Sequence, residues 1–187
     1  MYDAIIIGGG VSGIITSKYL VENGMENHVV LERRHSFGGV WLYSEDGQTS
    51  TVTRKTIMSS SKDVSCFSDF PMPESYPEFP GAPQYMEYLA SFVHHFGLEK
   101  RFRYHQHVLS ITRCPTTGVY TVSVNNTQTK QTTTYRSNRL VVCSGPNAIR
   151  NNVFLTKFGK QYSGRVLNAQ EVKLDRPVAD GREVVLV

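Results

Sequence analysis

Residues 2–13 read YDAIIIGGGVSG, and this stretch decides the fold of the chain. Its first half is a continuous isoleucine-rich run, which is typical of a strand buried on both faces of a parallel sheet. Residues 14–21 have the pattern of a helix that ends at Asn23-Gly24, and residues 28–31 form the next buried strand. This order predicts a βαβ unit.

The glycines after the first strand form a GxGxxG motif between a strand and a helix, the context that such a motif requires. Gly8 permits a tight turn, Gly10 lets the backbone approach a pyrophosphate, and Gly13 lets the helix pack close to the strand. The N-terminus of the helix that follows presents free N–H groups and a partial positive charge to phosphates. The motif therefore predicts a dinucleotide site.

Glu32 closes the second strand, where an acidic side chain accepts a hydrogen bond from a ribose hydroxyl. A carboxylate at this position repels a 2′-phosphate. We therefore expect the first site to hold FAD or NAD rather than NADP.

The remaining chain contains a proline-rich stretch, one amphipathic helix and a group of short strands. Apolar residues from Tyr85 to Phe96 repeat at helical spacing, with Pro83 suited to the first turn and Gly97 to the stop. Three antiparallel strands, a buried return strand and a final apolar strand are predicted at residues 108–111, 119–124, 132–136, 140–143 and 183–187.

Composition sets limits on the partners of the chain. The 187 residues carry a formal net charge of +4 without a long Lys/Arg run, so no nucleic-acid partner is predicted. The three cysteines are widely spaced, no Cys/His cluster forms a metal motif, and His94-His95 are interpreted as surface positions. No apolar run reaches the roughly 20 residues that span a bilayer.

Two further stretches resemble flavin-containing monooxygenases. Glu32-Arg33, Gly38-Gly39 and Trp41 are similar to the ER-xxxx-GG-x-W stretch of FAD-dependent monooxygenases. Ser61-Lys62-Asp63, followed by the CFSDFP sequence of residues 66–71, is similar to the SKE and FSD-aromatic-P segment of that family. The resemblance extends from about residue 3 to residue 187.

The resemblance implies a Rossmann-type FAD-binding domain of the two-dinucleotide-binding flavoprotein type, in the α/β class, with a small antiparallel β insertion. The implied FAD-binding residues are Gly8, Gly10, Val11, Ser12, Gly13, Glu32, Arg33, Gly39, Val40, Trp41 and Ser61. The implied domain covers residues 1–180, with a βαβ part (2–45), a loop and helix region (46–100), a β meander (105–136) and a return strand (139–145). Residues 181–187 are expected to begin an NADP-binding domain that the truncated chain lacks.

The resemblance also implies a reaction. NADPH reduces FAD, oxygen adds at flavin C4a, and the hydroperoxide oxygenates a nitrogen- or sulfur-containing small molecule, so no acid–base pair is expected. Without the NADPH domain, we expect the chain alone to lack NADPH-driven activity and to retain FAD weakly. The implied location is cytoplasmic, or peripheral on the endoplasmic reticulum if a longer chain carries a C-terminal anchor.

The chain departs from the family pattern at two motifs. Ser59 occupies the flavin-proximal position where the family has Asn. In the family's identifying motif, Tyr162 and Gly164 align, but Asn168 replaces the His and Val172 the closing aromatic. This degraded motif, and the absence of a second GxGxxG after residues 183–187, support a catalytically silent flavin-binding fragment as an alternative. An amine oxidase or a disulfide reductase is a further one, disfavoured by the FSDFP stretch and by the absence of a CxxxxC motif.

Overall fold

The computed structural model describes residues 1–46, 49–146, 163–164, 166 and 168–171. The chain divides into two compact units, Met1–Leu42 with Tyr85–Gly145, and Tyr43–Gln84 with Pro146–Val187. The predicted domain boundary at residue 180 and the strand predicted at residues 183–187 lie outside the described residues and stay predictions.

A six-stranded mixed sheet forms the centre of the first unit. Its strands are β1 (Tyr2–Ile7), β2 (His28–Leu31), β3 (Phe102–Arg103), β4 (Gln106–Arg113), β5 (Tyr120–Asn126) and β6 (Thr132–Val142). The strand order is β3-β2-β1-β6-β5-β4. The pairs from β3 to β6 are parallel, and β6-β5-β4 is antiparallel. The predicted Rossmann-type α/β fold with an antiparallel insertion is therefore confirmed.

The two buried strands predicted at the N-terminus are confirmed. Ala4, Ile5 and Ile6 are at most 1% exposed, and all four residues of β2 are buried. Ile5 of β1 belongs to one apolar cluster with Val124 of β5. Apolar residues of the meander and of the parallel strands therefore form one buried cluster.

Both long helices end at the predicted glycines. Helix α1 covers Val11–Glu22, and a second long helix covers Ala82–His95. Gly24 (φ +74°) and Gly97 (φ +60°) adopt the left-handed conformation just after these helices. At each end two backbone N–H groups bond back to the last turn, the pattern of a Schellman motif, which satisfies carbonyls that the helix leaves open.

The structure corrects the two strands that were predicted for the region of β6. Strands predicted at residues 132–136 and 140–143 form one continuous strand, Thr132–Val142. Ser137 pairs with Tyr120 of β5 on one side and with Tyr2 of β1 on the other. The residues between the two predicted strands mark instead the point where antiparallel pairing gives way to parallel pairing.

The described part of the second unit is largely irregular, as its prolines predict. Its helix, α2, covers Lys62–Ser65 only; the long helix that begins at Ala82 is α3. Residues 56–62 run antiparallel to residues 78–82, with Met58 donating to the Pro80 carbonyl over 2.9 Å and Ala82 to the Thr56 carbonyl over 3.0 Å.

Candidate dinucleotide-binding site

The glycine loop of residues 8–13 lies where three parallel strands end. The Gly8 N–H donates to the Leu31 carbonyl (2.9 Å), and the Cys143 N–H donates to the Ile7 carbonyl (2.7 Å). Gly8 has φ +102°, and a Cβ on it would lie 2.3 Å from the Cys143 carbonyl oxygen. Only glycine fits there. The loop therefore sits outside the carboxyl ends of β1, β2 and β6, where open α/β sheets bind ligands.

The start of α1 packs directly against this loop. A Cβ on Gly13 would lie 2.0 Å from the Gly8 carbonyl oxygen, so the close helix–loop contact predicted for Gly13 is present. Gly10 precedes the helix, which has neither a side-chain cap nor an acidic residue in its first turn. The first N–H groups of a helix have no intrahelical partner, and they favour an anion. The backbone at Val11 and Ser12 thus fits a diphosphate.

Glu32 lies beside the loop, where the sequence predicts it, and its carboxylate binds the protein's own backbone. Its side chain is held almost entirely out of solvent, with the residue 7% exposed. Oε2 accepts the Gly9 N–H at 2.7 Å, and Oε1 accepts the Arg34 N–H at 2.7 Å. A carboxylate offers about four acceptor positions, so two remain for a ribose hydroxyl.

The second glycine pair approaches the first glycine loop. The Gly38 N–H donates to the Gly9 carbonyl over 2.9 Å. A Cβ on Gly39 would lie 2.9 Å from the Cα of Gly10, and Gly39 itself has φ +56°. The two glycine segments are therefore in van der Waals contact, which gives Gly10 a packing role in addition to the predicted one.

The residues around the second glycine pair, several of them predicted to bind the cofactor, differ in their exposure and in the contacts that they make. Arg33, predicted to bind the cofactor, is exposed, and Val40 is 44% exposed. The Trp41 ring packs on Tyr85, with ring centroids 4.6 Å apart. The guanidinium of Arg34 donates to the Gly39 carbonyl over 3.1 Å.

Sequence reasoning missed two residues of this site, Gly9 and Arg34. A Cβ on Gly9 would lie 3.1 Å from Oε2 of Glu32, so the extra glycine between the motif glycines Gly8 and Gly10 was the signal for this contact. For Arg34 the sequence carries no such signal, because the arginine of the family pattern is its exposed neighbour Arg33 and Arg34 itself falls at an unspecified position.

Ser59 and Ser61 belong to the second unit, so their approach to a flavin stays a prediction. Ser59 is exposed, and the Ser61 carbonyl accepts the Ser65 N–H at 3.0 Å at the start of α2. Next to them, the Lys62 ammonium donates to the carbonyls of Glu74 (2.7 Å) and Tyr76 (2.9 Å), and to that of Pro73 at a longer 3.4 Å. We call this arrangement the Lys62 clamp.

Asn168, which replaces a family His, caps a short 3₁₀ turn. Its Oδ1 accepts the Gln170 N–H at 3.0 Å, and the Glu171 carboxylate accepts the Asn168 N–H at 2.7 Å. This reciprocal pattern is a capping box. Tyr162 and Val172 lie outside the described residues.

Within the described part of the chain, no cluster of three or more His, Cys, Asp or Glu side chains could hold a metal ion. The pKa of Cys114 falls to about 6, because the Thr116 and Thr117 side chains donate hydrogen bonds to its sulfur. Among the described residues, no helix has the length and apolar character needed to cross a bilayer.

Comparison with known families supports the same interpretation. Residues 3–187 match the family described as FMO-like, flavin-binding monooxygenase-like. The chain is 33% identical over 192 residues to the mouse dimethylaniline monooxygenase [N-oxide-forming] 2, covering 98% of this chain and 35% of that relative. It is 36% identical over 146 residues to human flavin-containing monooxygenase 2, covering 75% of this chain and 26% of that relative. The chain thus spans about a third or less of the length of these relatives.

Solved structures share the fold. An S-allyl-L-cysteine S-oxygenase from Allium sativum superposes with a TM-score of 0.70 at 24% identity, covering 76% of this chain and 36% of that chain. A cyclohexanone monooxygenase mutant from Rhodococcus sp. Phi1, bound to NADP+, gives a TM-score of 0.63 at 22% identity, covering 76% of this chain and 26% of that chain.

Proposed function

The chain belongs to the flavin-binding monooxygenase-like family, and from that premise we propose that it is the FAD-binding part of an FAD- and NADPH-dependent monooxygenase. The proposed substrates are small molecules with an oxidisable nitrogen or sulfur. The names of a relative that forms N-oxides and of a structural neighbour that oxygenates sulfur support this class.

The observation that carries the proposal is the preformed glycine loop. It combines an uncapped helix start with two glycine segments in contact and a carboxylate held at the end of β2. We propose that the amides of Val11 and Ser12 bind the FAD diphosphate and that Glu32 binds the adenosine ribose. Gly39, Val40, Trp41, Arg33 and Ser61 complete the proposed set.

The cofactors divide the chemistry with the chain. FAD, when bound, supplies the two-electron chemistry that lets oxygen react with the substrate, and NADPH supplies the electrons. The residues of this chain bind and orient the flavin, and Ser59 is proposed to offer a hydroxyl near its reactive face. Residues 181–187 are proposed to lead into the NADPH-binding part, and the protein to work in the cytoplasm or at the endoplasmic reticulum surface.

A second candidate function is flavin binding without oxygenation. Two departures favour it: a short hydroxyl at Ser59 instead of an amide, and Asn168 engaged as a cap instead of the family His. In the full protein, the monooxygenase proposal requires one oxygen atom transferred to a tertiary amine or a sulfide per NADPH consumed. The second candidate requires bound flavin and no oxygenated product.

Cofactor identity is the first test. Purified chain is titrated with FAD, FMN and NADP, and we expect FAD to bind most tightly. Gly10→Val places branched methyl groups beside Gly39 and the helix start, where the backbone must approach the diphosphate, and should weaken FAD binding about tenfold or more. Gly81→Ala is the control, because its Cβ meets ordinary contacts at 3.5 Å. Tighter binding of FMN than FAD would refute the adenosine half of the site.

A further inference from the structure

Four hydrogen bonds connect the two glycine segments in a closed circuit, which we call the Glu32–Arg34 ring. Glu32 accepts the N–H groups of Gly9 and Arg34, at 2.7 Å each. The Arg34 guanidinium donates to the Gly39 carbonyl (3.1 Å), and the Gly38 N–H donates back to the Gly9 carbonyl (2.9 Å). The ring thus uses two side chains to join two stretches of backbone.

The ring is built from strong interactions in a poorly hydrated place. Glu32 is 7% exposed, and a buried carboxylate needs hydrogen bonds to offset its lost hydration. Three of the four bonds involve a charged group, which strengthens a hydrogen bond, and the two to the Glu32 carboxylate are the shortest, at 2.7 Å. If one of these bonds is broken, its donor and its acceptor are left with partners that replace the lost bond only imperfectly.

Arg34 is also fixed from its far side. Its carbonyl accepts the His105 N–H at 3.0 Å, and His105 has the left-handed φ of +61°. A non-glycine residue in that conformation costs free energy and persists where its surroundings fix it. The backbone of Arg34 is therefore held between Glu32 and the chain that leads into β4.

We propose that Arg34 is a positioning residue that, with Glu32, assembles both glycine segments before any ligand binds. This inference rests on the proposed FAD site and adds to it a residue that acts through the Gly39 carbonyl rather than on the ligand. A binding loop that is already ordered loses less conformational entropy on binding, so its affinity is higher. The adjacent Arg33 matches the family pattern but is exposed and takes no part in the ring.

The test compares two neighbouring arginines. Arg34→Gln removes the bond to Gly39, and Arg33→Gln removes the same charge one residue away. In the ligand-free chain, we expect Arg34→Gln to speed amide hydrogen exchange at Gly38 and Gly9 about tenfold, and Arg33→Gln to leave it within about twofold. Arg34→Lys restores a cationic donor and should recover most of the protection.

FAD affinity is measured on the Arg34 variants and on Arg136→Gln, at a temperature where circular dichroism shows all of them folded. We expect Arg34→Gln to weaken binding about tenfold and Arg34→Lys to recover most of it, whereas Arg136→Gln, at an exposed arginine outside the proposed site, should change it less than twofold. Equal exchange in Arg34→Gln and Arg33→Gln, together with equal affinity in Arg34→Gln and Arg136→Gln, would overturn the proposal. If the wild-type chain binds no FAD, the proposed function fails, while the exchange rates at Gly9 and Gly38 still decide whether the ring exists.

Discussion

The glycine loop and the Lys62 clamp both hold separate stretches of backbone close together, but they do so in opposite ways. In the loop, backbone approaches backbone so closely that a single Cβ on Gly8 or Gly13 would overlap a carbonyl. In the clamp, one long side chain reaches out to carbonyls that lie 11–14 residues further along the chain. The first arrangement tolerates no added atom, whereas the second depends on one flexible group. Substitutions should therefore act through steric overlap in the loop and through lost hydrogen bonds in the clamp.

The largest effect is expected at Gly8. Gly8→Ala forces a Cβ to within 2.3 Å of the Cys143 carbonyl oxygen in a residue with φ +102°. We expect it to lower the free energy of unfolding by about 3 kcal/mol or more, measured by urea denaturation. Gly24→Ala is the matched control, since Gly24 has φ +74° with open space around it. It should cost only the backbone strain, about 1–2 kcal/mol. Equal losses in the two variants would show that steric overlap at Gly8 adds nothing to the backbone strain.

An intermediate effect is expected at Lys62. Lys62→Met keeps the length of the side chain but removes the bonds to the carbonyls of Glu74 and Tyr76. We expect a loss of about 1–2 kcal/mol, reduced by the partial exposure of the ammonium. Lys55→Met, an exposed position in the same segment, should change stability by less than about 0.5 kcal/mol. A similar loss in both variants would show that the clamp contributes nothing specific.

The smallest effect is expected from a change of pH. It acts through His28 in the sheet next to the glycine loop and not through the Lys62 clamp, so it distinguishes the two regions. Burial at the start of β2 lowers the pKa of His28 below its ordinary value of 6.5, and Arg101 lowers it further. The Met25 carbonyl and Asp3 act in the opposite direction. Ser17 Oγ lies 2.8 Å from His28 Nε2, and the Met25 carbonyl lies 2.8 Å from Nδ1.

The sign of the pH effect follows from that lowered pKa. Between the folded-state pKa and 6.5, the unfolded chain binds a proton that the folded chain does not. Stability is therefore fully present above pH 6.5 and falls as the pH drops below it, by at most about 1.4 kcal/mol per unit. Urea midpoints at pH 7.5 and 5.5 measure the fall. His28→Gln should flatten it, and His94→Gln, on the surface, should not.

The parts of the fold predicted correctly are those set by local patterns. Strand β2 has the predicted bounds, and both long helices end at the predicted glycines, because burial and chain reversal leave direct signals in the sequence. The junction within β6 left no such signal. Ser137 is buried between two partner strands, yet it and its exposed neighbours Asn138 and Arg139 fall between the two strands predicted from the sequence.

The candidate site shows a similar division. The positions of Gly8, Gly13 and Glu32 follow from the strand–glycine–helix order alone. The contacts that Glu32 makes do not, because the Gly9 and Arg34 amides reach it only after the chain has turned back on itself. The role of Arg34 could not be predicted from the sequence for the same reason, because it depends on where Gly39 lies in the folded chain.

The continuous strand β6 has a consequence for the time course of folding. β1 needs β6 as a neighbour, and the pairing of Tyr2 with Ser137 joins the first residues of the chain to some of the last in the sheet. During synthesis at about 5–20 residues per second, the isoleucine-rich β1 waits roughly ten seconds for its partner. Such distant pairing slows folding and leaves an apolar edge open to other chains. The nascent protein is therefore most prone to aggregate before residue 142 has left the ribosome.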